Sequence, residues 1–296
     1  MAGSPGLAFK AYEIEELVDV HFYRRLGIVA ARAARAAGLT PNAVSILAGV
    51  AGTVGGALLY DEGLAMWGWL LLVLHGVLDS ADGQLARLTR RTSELGRILD
   101  GVAGYFTHVA IFVALALRAI DRGAGPEAWL WTLLAGVSVA VHAQLYEYHR
   151  MSYLRFAIQG IVPAPGGTAA RAADDRARAI PASSLATALY RAAQAYESMQ
   201  ARLAGIHPRV EALIAGRAVN GQVTAADRAR YRSAFYRPVR GWNTLGDNVR
   251  RHAIGILALT RHLDWFVPLV LGPMNLVLAG LVLWQWRRDR RFLAGG

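Results

Sequence analysis

The stretch Asp79-Ser80-Ala81-Asp82-Gly83-Gln84-Leu85-Ala86-Arg87 closes an apolar segment that begins near Ala65, and a third acid, Asp100, opens the next one. Carboxylates at the edge of a hydrocarbon layer are expensive to keep, and they mark functional sites. Asp79 and Asp82 are three positions apart, so a helix places both on one face. Gly83 and Ala86 lie one turn beyond them and leave room for a bulky group beside the acids, while Arg87 stands ready to meet an anion. Farther on, Gly96, Asp100, Gly104 and His108 recur every four residues, which puts a carboxylate on a face otherwise cleared of bulk.

Around this stretch the chain is built of apolar runs. It has 296 residues, 54% hydrophobic and only 18% charged, against about 25% charged in an ordinary soluble domain. So much apolar content excludes a disordered chain. Apolar or small-residue runs fall at 41–60, 66–78, 102–119, 127–145, 252–260 and 265–284. A membrane span needs about 20 such residues; three runs meet that nearly unaided, and the others meet it by including adjacent polar residues. The expected fold is an all-α polytopic membrane protein with six transmembrane helices. Residues 1–38 read as an N-terminal segment with an interfacial amphipathic helix over His21–Ala37, and Thr40-Pro41 as the cap and first turn of the first span. Residues 39–154 hold spans one to four. Residues 155–240 are rich in Ala and Arg and read as a cytoplasmic helical insertion, interrupted near Pro208, with a capping pattern at Thr224–Asp227. Residues 241–296 hold spans five and six and a basic tail. The start of the chain lacks a basic region followed by an apolar one, so no cleavable signal peptide is expected.

The net charge is +11, and Lys10 is the one lysine. The arginines cluster at Arg24–Arg35, Arg87–Arg97, Arg150–Arg155 and Arg287–Arg291. With six spans these clusters share one side. The positive-inside rule makes it the cytoplasmic side of a bacterial-type inner membrane, with both termini and the aspartates there. Arg118, Arg122 and Arg261 fall on the other side. Basicity distributed in this way fits anionic headgroups rather than nucleic acid. The chain has no cysteine, which excludes disulfides and thiolate metal sites.

Three carboxylates in close, partly dry quarters need a cation, and an all-oxygen donor set selects Mg²⁺, Mn²⁺ or Ca²⁺. Beside a cleared pocket such an ion suits a diphosphate ligand. The run Asp79-x2-Asp82-Gly83-x2-Ala86-Arg87-x8-Gly96-x3-Asp100 resembles the signature of the CDP-alcohol phosphotransferases, D-x2-D-G-x2-A-R-x8-G-x3-D-x3-D, at seven of its eight fixed positions. The six-span layout, the amphipathic lead-in and Pro41-Asn42 also resemble that family; residues 155–240 do not. The resemblance implies an integral membrane transferase that moves a substituted phosphate from a CDP-linked donor such as CDP-diacylglycerol to an alcohol acceptor, releasing CMP, in phospholipid biosynthesis. It implies Asp79, Asp82 and Asp100 as ligands of Mg²⁺ or Mn²⁺, and Asp79, Gly83, Ala86, Arg87 and Gly96 at the CDP site. It also implies a homodimer among membrane lipids.

The eighth position is Gly104, where the family carries the aspartate that serves as general base. Three readings follow. His108, one turn on, supplies the base beside Asp100, with His75 a weaker candidate. Alternatively, the acceptor or a remaining aspartate handles the proton. In the third reading the chain is a weak or non-catalytic homologue that binds CDP-lipid or a partner. An intramembrane prenyltransferase would want a second aspartate cluster, which the chain lacks. Asn243, Thr244, Asp247 and Asn248 read as a polar helix start or an acceptor contact, and Arg232, Arg237 and Arg240 as headgroup contacts. His142, Tyr146, Tyr148, His149, Trp265, Trp284 and Trp286 read as interface anchors.

Overall fold

The computed structural model describes residues 12–90, 94–162 and 198–295, with the side chains of 94–103 outside the description. The described residues are helical, with two isolated bridges at Gln222 and no strand. The helices are α1 (Arg24–Ala36), α2 (Pro41–Leu58), α3 (Ala65–Thr89), α4 (Glu94–Asp121), α5 (Ala128–Tyr153), α6 (His207–Arg217), α7 (Ala225–Trp242), α8 (Asp247–Leu259) and α9 (Asn275–Ala294). Short turns over Leu263–Met274 join α8 to α9.

Two expected helix starts are present. Thr40 accepts a hydrogen bond from the Ala43 amide at 3.2 Å, with Pro41 at the first helical position. Thr224 accepts one from the Asp227 amide at 3.1 Å. Each side-chain oxygen satisfies an amide that the helix cannot.

Among the described residues four segments are long and apolar enough to cross a membrane: Pro41–Leu58, Gly104–Asp121, Ala128–Gln159 and Leu263–Ala294. The other two segments expected to cross, α3 and α8, fall short of that measure for different reasons. The 25 residues of α3 are long enough, but its last third is the polar stretch with Asp79, Asp82 and Arg87. The 13 residues of α8 rise about 20 Å, less than the roughly 30 Å of hydrocarbon.

The chain falls into two compact units, one from Met1–Ala140 with Leu245–Val277, the other from Val141–Thr244 with Leu278–Gly296. In the first, α2 packs along both α3 and α4. Its glycines make this possible. A side chain at Gly52 would collide with the Thr107 hydroxyl and the His75 ring, and one at Gly56 would sit 2.9 Å from the Ile111 amide. The small residues Gly52 and Gly56 are therefore used for helix packing inside the unit. α1 lies on α3, where Ala31 and Ala34 pack with Val44, Ala81 and Leu85.

The second unit has a buried polar centre. The His207 ring meets Asp289 at 2.8 Å through Nδ1 and the Tyr231 hydroxyl at 3.0 Å through Nε2. Gln285 donates to Asp289 at 2.9 Å, and Trp242 donates to Gln285 at 3.3 Å. His149 stacks on Trp242 with ring centroids 4.8 Å apart. His149 and His142 are buried, so these two residues, expected at a membrane interface, instead pack within the fold. Residues 163–197, which hold much of the expected insertion, lie outside the described residues; a helical stretch at 198–203, α6 and α7 are described.

Candidate active site

The aspartates sit where α3 leaves the apolar region. Asp79 is exposed, and Asp82, one turn on, is buried at 8% exposure. A buried carboxylate needs a donor. Ser45 of α2 supplies it, its hydroxyl donating to Asp82 Oδ2 at 2.5 Å. Burial of Asp82 follows from the α1–α2–α3 packing, because its neighbours Ala81 and Leu85 are in that core. Gly83 and Ala86 are half-buried, and Arg87 folds back toward Gly83, with Nη1 3.6 Å from where a Gly83 side chain would begin.

α4 carries Gly96 and Asp100, whose side chains lie outside the described residues. Gly104 is described, and nothing lies within 4 Å of a side-chain carbon placed on it. The missing family aspartate thus leaves open space. Among the described residues no three His, Asp or Glu side chains come together to hold a metal. Asp79 and Asp82 remain as hard oxygen donors one turn apart. That fits Mg²⁺ or Mn²⁺, which takes one or two carboxylates and completes its shell with substrate phosphates and water.

His108 is not free to act alone. Its Nδ1 lies 2.8 Å from the Gly104 carbonyl and its Nε2 lies 3.4 Å from Asp247 Oδ1. Both ring nitrogens face acceptors, so the ring is set up to donate twice, as an imidazolium does. In that state it cannot take a proton. His75, the second candidate, is buried and bonded through Nδ1 to the Ala48 carbonyl at 2.9 Å.

Asp247 belongs to a polar group that the sequence only partly indicates. Arg251 pairs with Asp247 and donates to Asn248 Oδ1 at 2.9 Å. Asn248 donates to Asp19 at 3.1 Å. Arg250 is buried, donates to the Leu245 carbonyl at 2.5 Å and lies 3.5 Å from Asp247. Arg251 passes over α3 at Gly76, where any side chain would strike its guanidinium, and so stands one turn from Asp79. Tyr23 places its ring 5.1 Å from the same guanidinium. Burial pushes the Tyr23 hydroxyl above its usual range, and the phenol keeps its proton. The signal for Arg250 and Arg251 was available in the sequence: two adjacent arginines inside a short amphipathic helix that begins with Asp247. A cavity of about 30 Å³, room for a single water, lies among His75, Thr107, His108, Asp247, Arg250 and Arg251. It is too small for a substrate.

Comparison with known proteins agrees with the motif. Residues 38–172 match the family model described as CDP-alcohol phosphatidyltransferase. Three curated relatives are named phosphatidylinositol phosphate synthase. The protein from Streptomyces avermitilis is 38% identical over 81 residues, 27% of this chain and 33% of its own length. That from Mycolicibacterium smegmatis is 28% identical over 133 residues, 45% of this chain and 60% of its own. That from Mycobacteroides abscessus is 31% identical over 129 residues, 44% of this chain and 58% of its own. The chain thus spans between a third and three fifths of the length of these relatives. No solved structure matches it.

Proposed function

We propose that this chain, whose residues 38–172 match the CDP-alcohol phosphatidyltransferase family model, transfers the phosphatidyl group of CDP-diacylglycerol to a phosphorylated alcohol and releases CMP. The observation that carries this reading is the signature itself. Seven of eight positions are present, and the buried member Asp82 is held by Ser45. The relatives' printed name supports a phosphorylated polyol such as inositol phosphate as acceptor.

Asp79, Asp82 and Asp100 would hold Mg²⁺ or Mn²⁺, which supplies charge neutralisation for the diphosphate as the P–O bond to CMP breaks. Arg87 faces the same region from the end of α3 and binds a donor phosphate. The acceptor hydroxyl forms the new P–O bond and gives up its proton. Asp100, or the phosphate that the acceptor carries, takes that proton. His108 positions Asp247 and through it Arg251, which stands beside Asp79. The chain works as a six-span protein with α1 in the interface, the aspartates in the cytoplasmic leaflet and two chains per assembly.

The test is a screen of purified protein with CDP-diacylglycerol and Mg²⁺ against alcohols with and without a phosphate. CMP release that needs a phosphorylated alcohol supports the proposal. Binding of CDP-diacylglycerol with no CMP release under any acceptor would leave the chain a binding homologue, as the glycine at position 104 permits.

A further inference from the structure

The end of the first unit remote from the aspartates carries a second, larger cavity. From Ala65 to Asp82 along α3 is about 25 Å at 1.5 Å per residue, close to the thickness of the hydrocarbon layer. The loop before α3 therefore belongs to the opposite membrane face. There Arg118, 2% exposed, meets Glu62 and Asp264, and Arg122 meets the same two acids. Two cations and two carboxylates close a balanced network that pins the ends of α3 and α4 to the turn after α8.

Beside this network is a cavity of about 620 Å³. Its inner wall is apolar, from Leu115, Leu263, Val267 and Leu271. Its mouth is polar, from Arg122, Asp264 and Glu127, with the exposed Trp131 beside it. The volume lies within the roughly 300–1,000 Å³ of ligand sites, which share this pattern of apolar walls and a few polar groups. An apolar slot opening at a charged and aromatic rim, at the end of helices able to span a membrane, has the polarity profile of a phospholipid. A chain seated there replaces a void that would forfeit dispersion contacts. Arg122, still 43% exposed beside its two acids, and the exposed Glu127 form a rim suited to a zwitterionic headgroup.

We propose that this cavity binds a membrane phospholipid of the leaflet opposite the aspartates, acyl chain inward and headgroup at Arg122, Asp264 and Glu127. The proposal rests on the chain's lying in a membrane and is independent of the transferase reading. It is tested by native mass spectrometry of the full chain in detergent with added dioleoylphosphatidylethanolamine. Ala119→Trp fills the cavity from α4, and Ala124→Trp, on an exposed loop residue at the mouth, guards against a folding defect in the first. Asp82→Asn controls for lipid held at the aspartates. The expected result is about tenfold weaker retention of one lipid per chain in both tryptophan variants, with retention in Asp82→Asn unchanged. Equal retention in all proteins overturns the proposal, as does an altered subunit number with lipid retention unchanged.

Discussion

Ser45 donates its hydroxyl proton to Asp82 at 2.5 Å across the packed faces of α2 and α3. The bond fixes one carboxylate oxygen of Asp82. A hydrogen bond to a charged group is worth about 1.5–3 kcal/mol, and each 1.4 kcal/mol is about tenfold in rate. Ser45→Ala is therefore expected to lower kcat by about tenfold or more, with Ser45→Thr retaining most of it. Steady-state CMP release from the three proteins checks this, and equal rates in Ser45→Ala and the parent would remove Ser45 from the site.

Asp82→Asn still accepts from Ser45 and keeps the α2–α3 contact. The variant should fold as the parent does, yet bind Mn²⁺ at least about tenfold more weakly, as expected when a charged metal ligand is lost. Mn²⁺ titration followed by electron paramagnetic resonance, with thermal unfolding as the control, measures it. Unchanged Mn²⁺ affinity would place the metal elsewhere. The converse substitution, Gly104→Asp, meets no atom within 4 Å of its first side-chain carbon, so it should be accommodated and should raise Mn²⁺ affinity.

How far the sequence carried this site depends on which forces act at each residue. α3 begins at Ala65, where the sequence places the start of its apolar segment, because burial and helix periodicity are local signals. Asp82 was legible as a functional acid for the same reason: nothing else explains a carboxylate there. Its partner Ser45 was not, because the contact joins residues 37 positions apart and a serine in a helix has no distinctive pattern. His108 sat correctly on its stripe, one turn from Gly104. What periodicity could not show was Asp247, which faces its other nitrogen from α8, far along the chain.

That pairing gives a prediction. With both nitrogens facing acceptors, His108 positions charge and does not collect the proton. His108→Gln keeps one donor and should retain kcat within about tenfold, less than the 10²–10⁴-fold loss expected for a general base. A loss of that larger size, with unaltered folding, would restore the base role.

The remote ion network predicts a pH dependence. The Arg118 hydrogen bond holds the Glu62 carboxyl below its usual value. A depressed carboxyl stabilises the fold above its unfolded-state pKa, and that contribution is lost as pH falls through the folded value. Thermal unfolding in detergent should therefore drop as the pH falls below the ordinary glutamate range, and Glu62→Gln should flatten the drop. A parallel drop in both proteins would assign it to other carboxyls.

In the second unit His207 and Asp289 are each 1% exposed. Leaving a buried hydrogen-bonding group without its partner typically costs about 1–3 kcal/mol. Asp289→Ala should unfold several degrees lower in thermal unfolding; an unchanged midpoint would show that Gln285 and Tyr231 suffice to hold the histidine.

The central claim is phosphatidyl transfer at the aspartates, and the most direct measurement uses CDP-diacylglycerol radiolabelled in its lipid phosphate, Mg²⁺ and inositol phosphate with the purified chain. The account predicts label appearing in a phosphatidylinositol phosphate product, with an equal amount of CMP released and both lost in Asp82→Asn. Label remaining wholly in CDP-diacylglycerol with every phosphorylated alcohol, or turnover undiminished in Asp82→Asn, would contradict it.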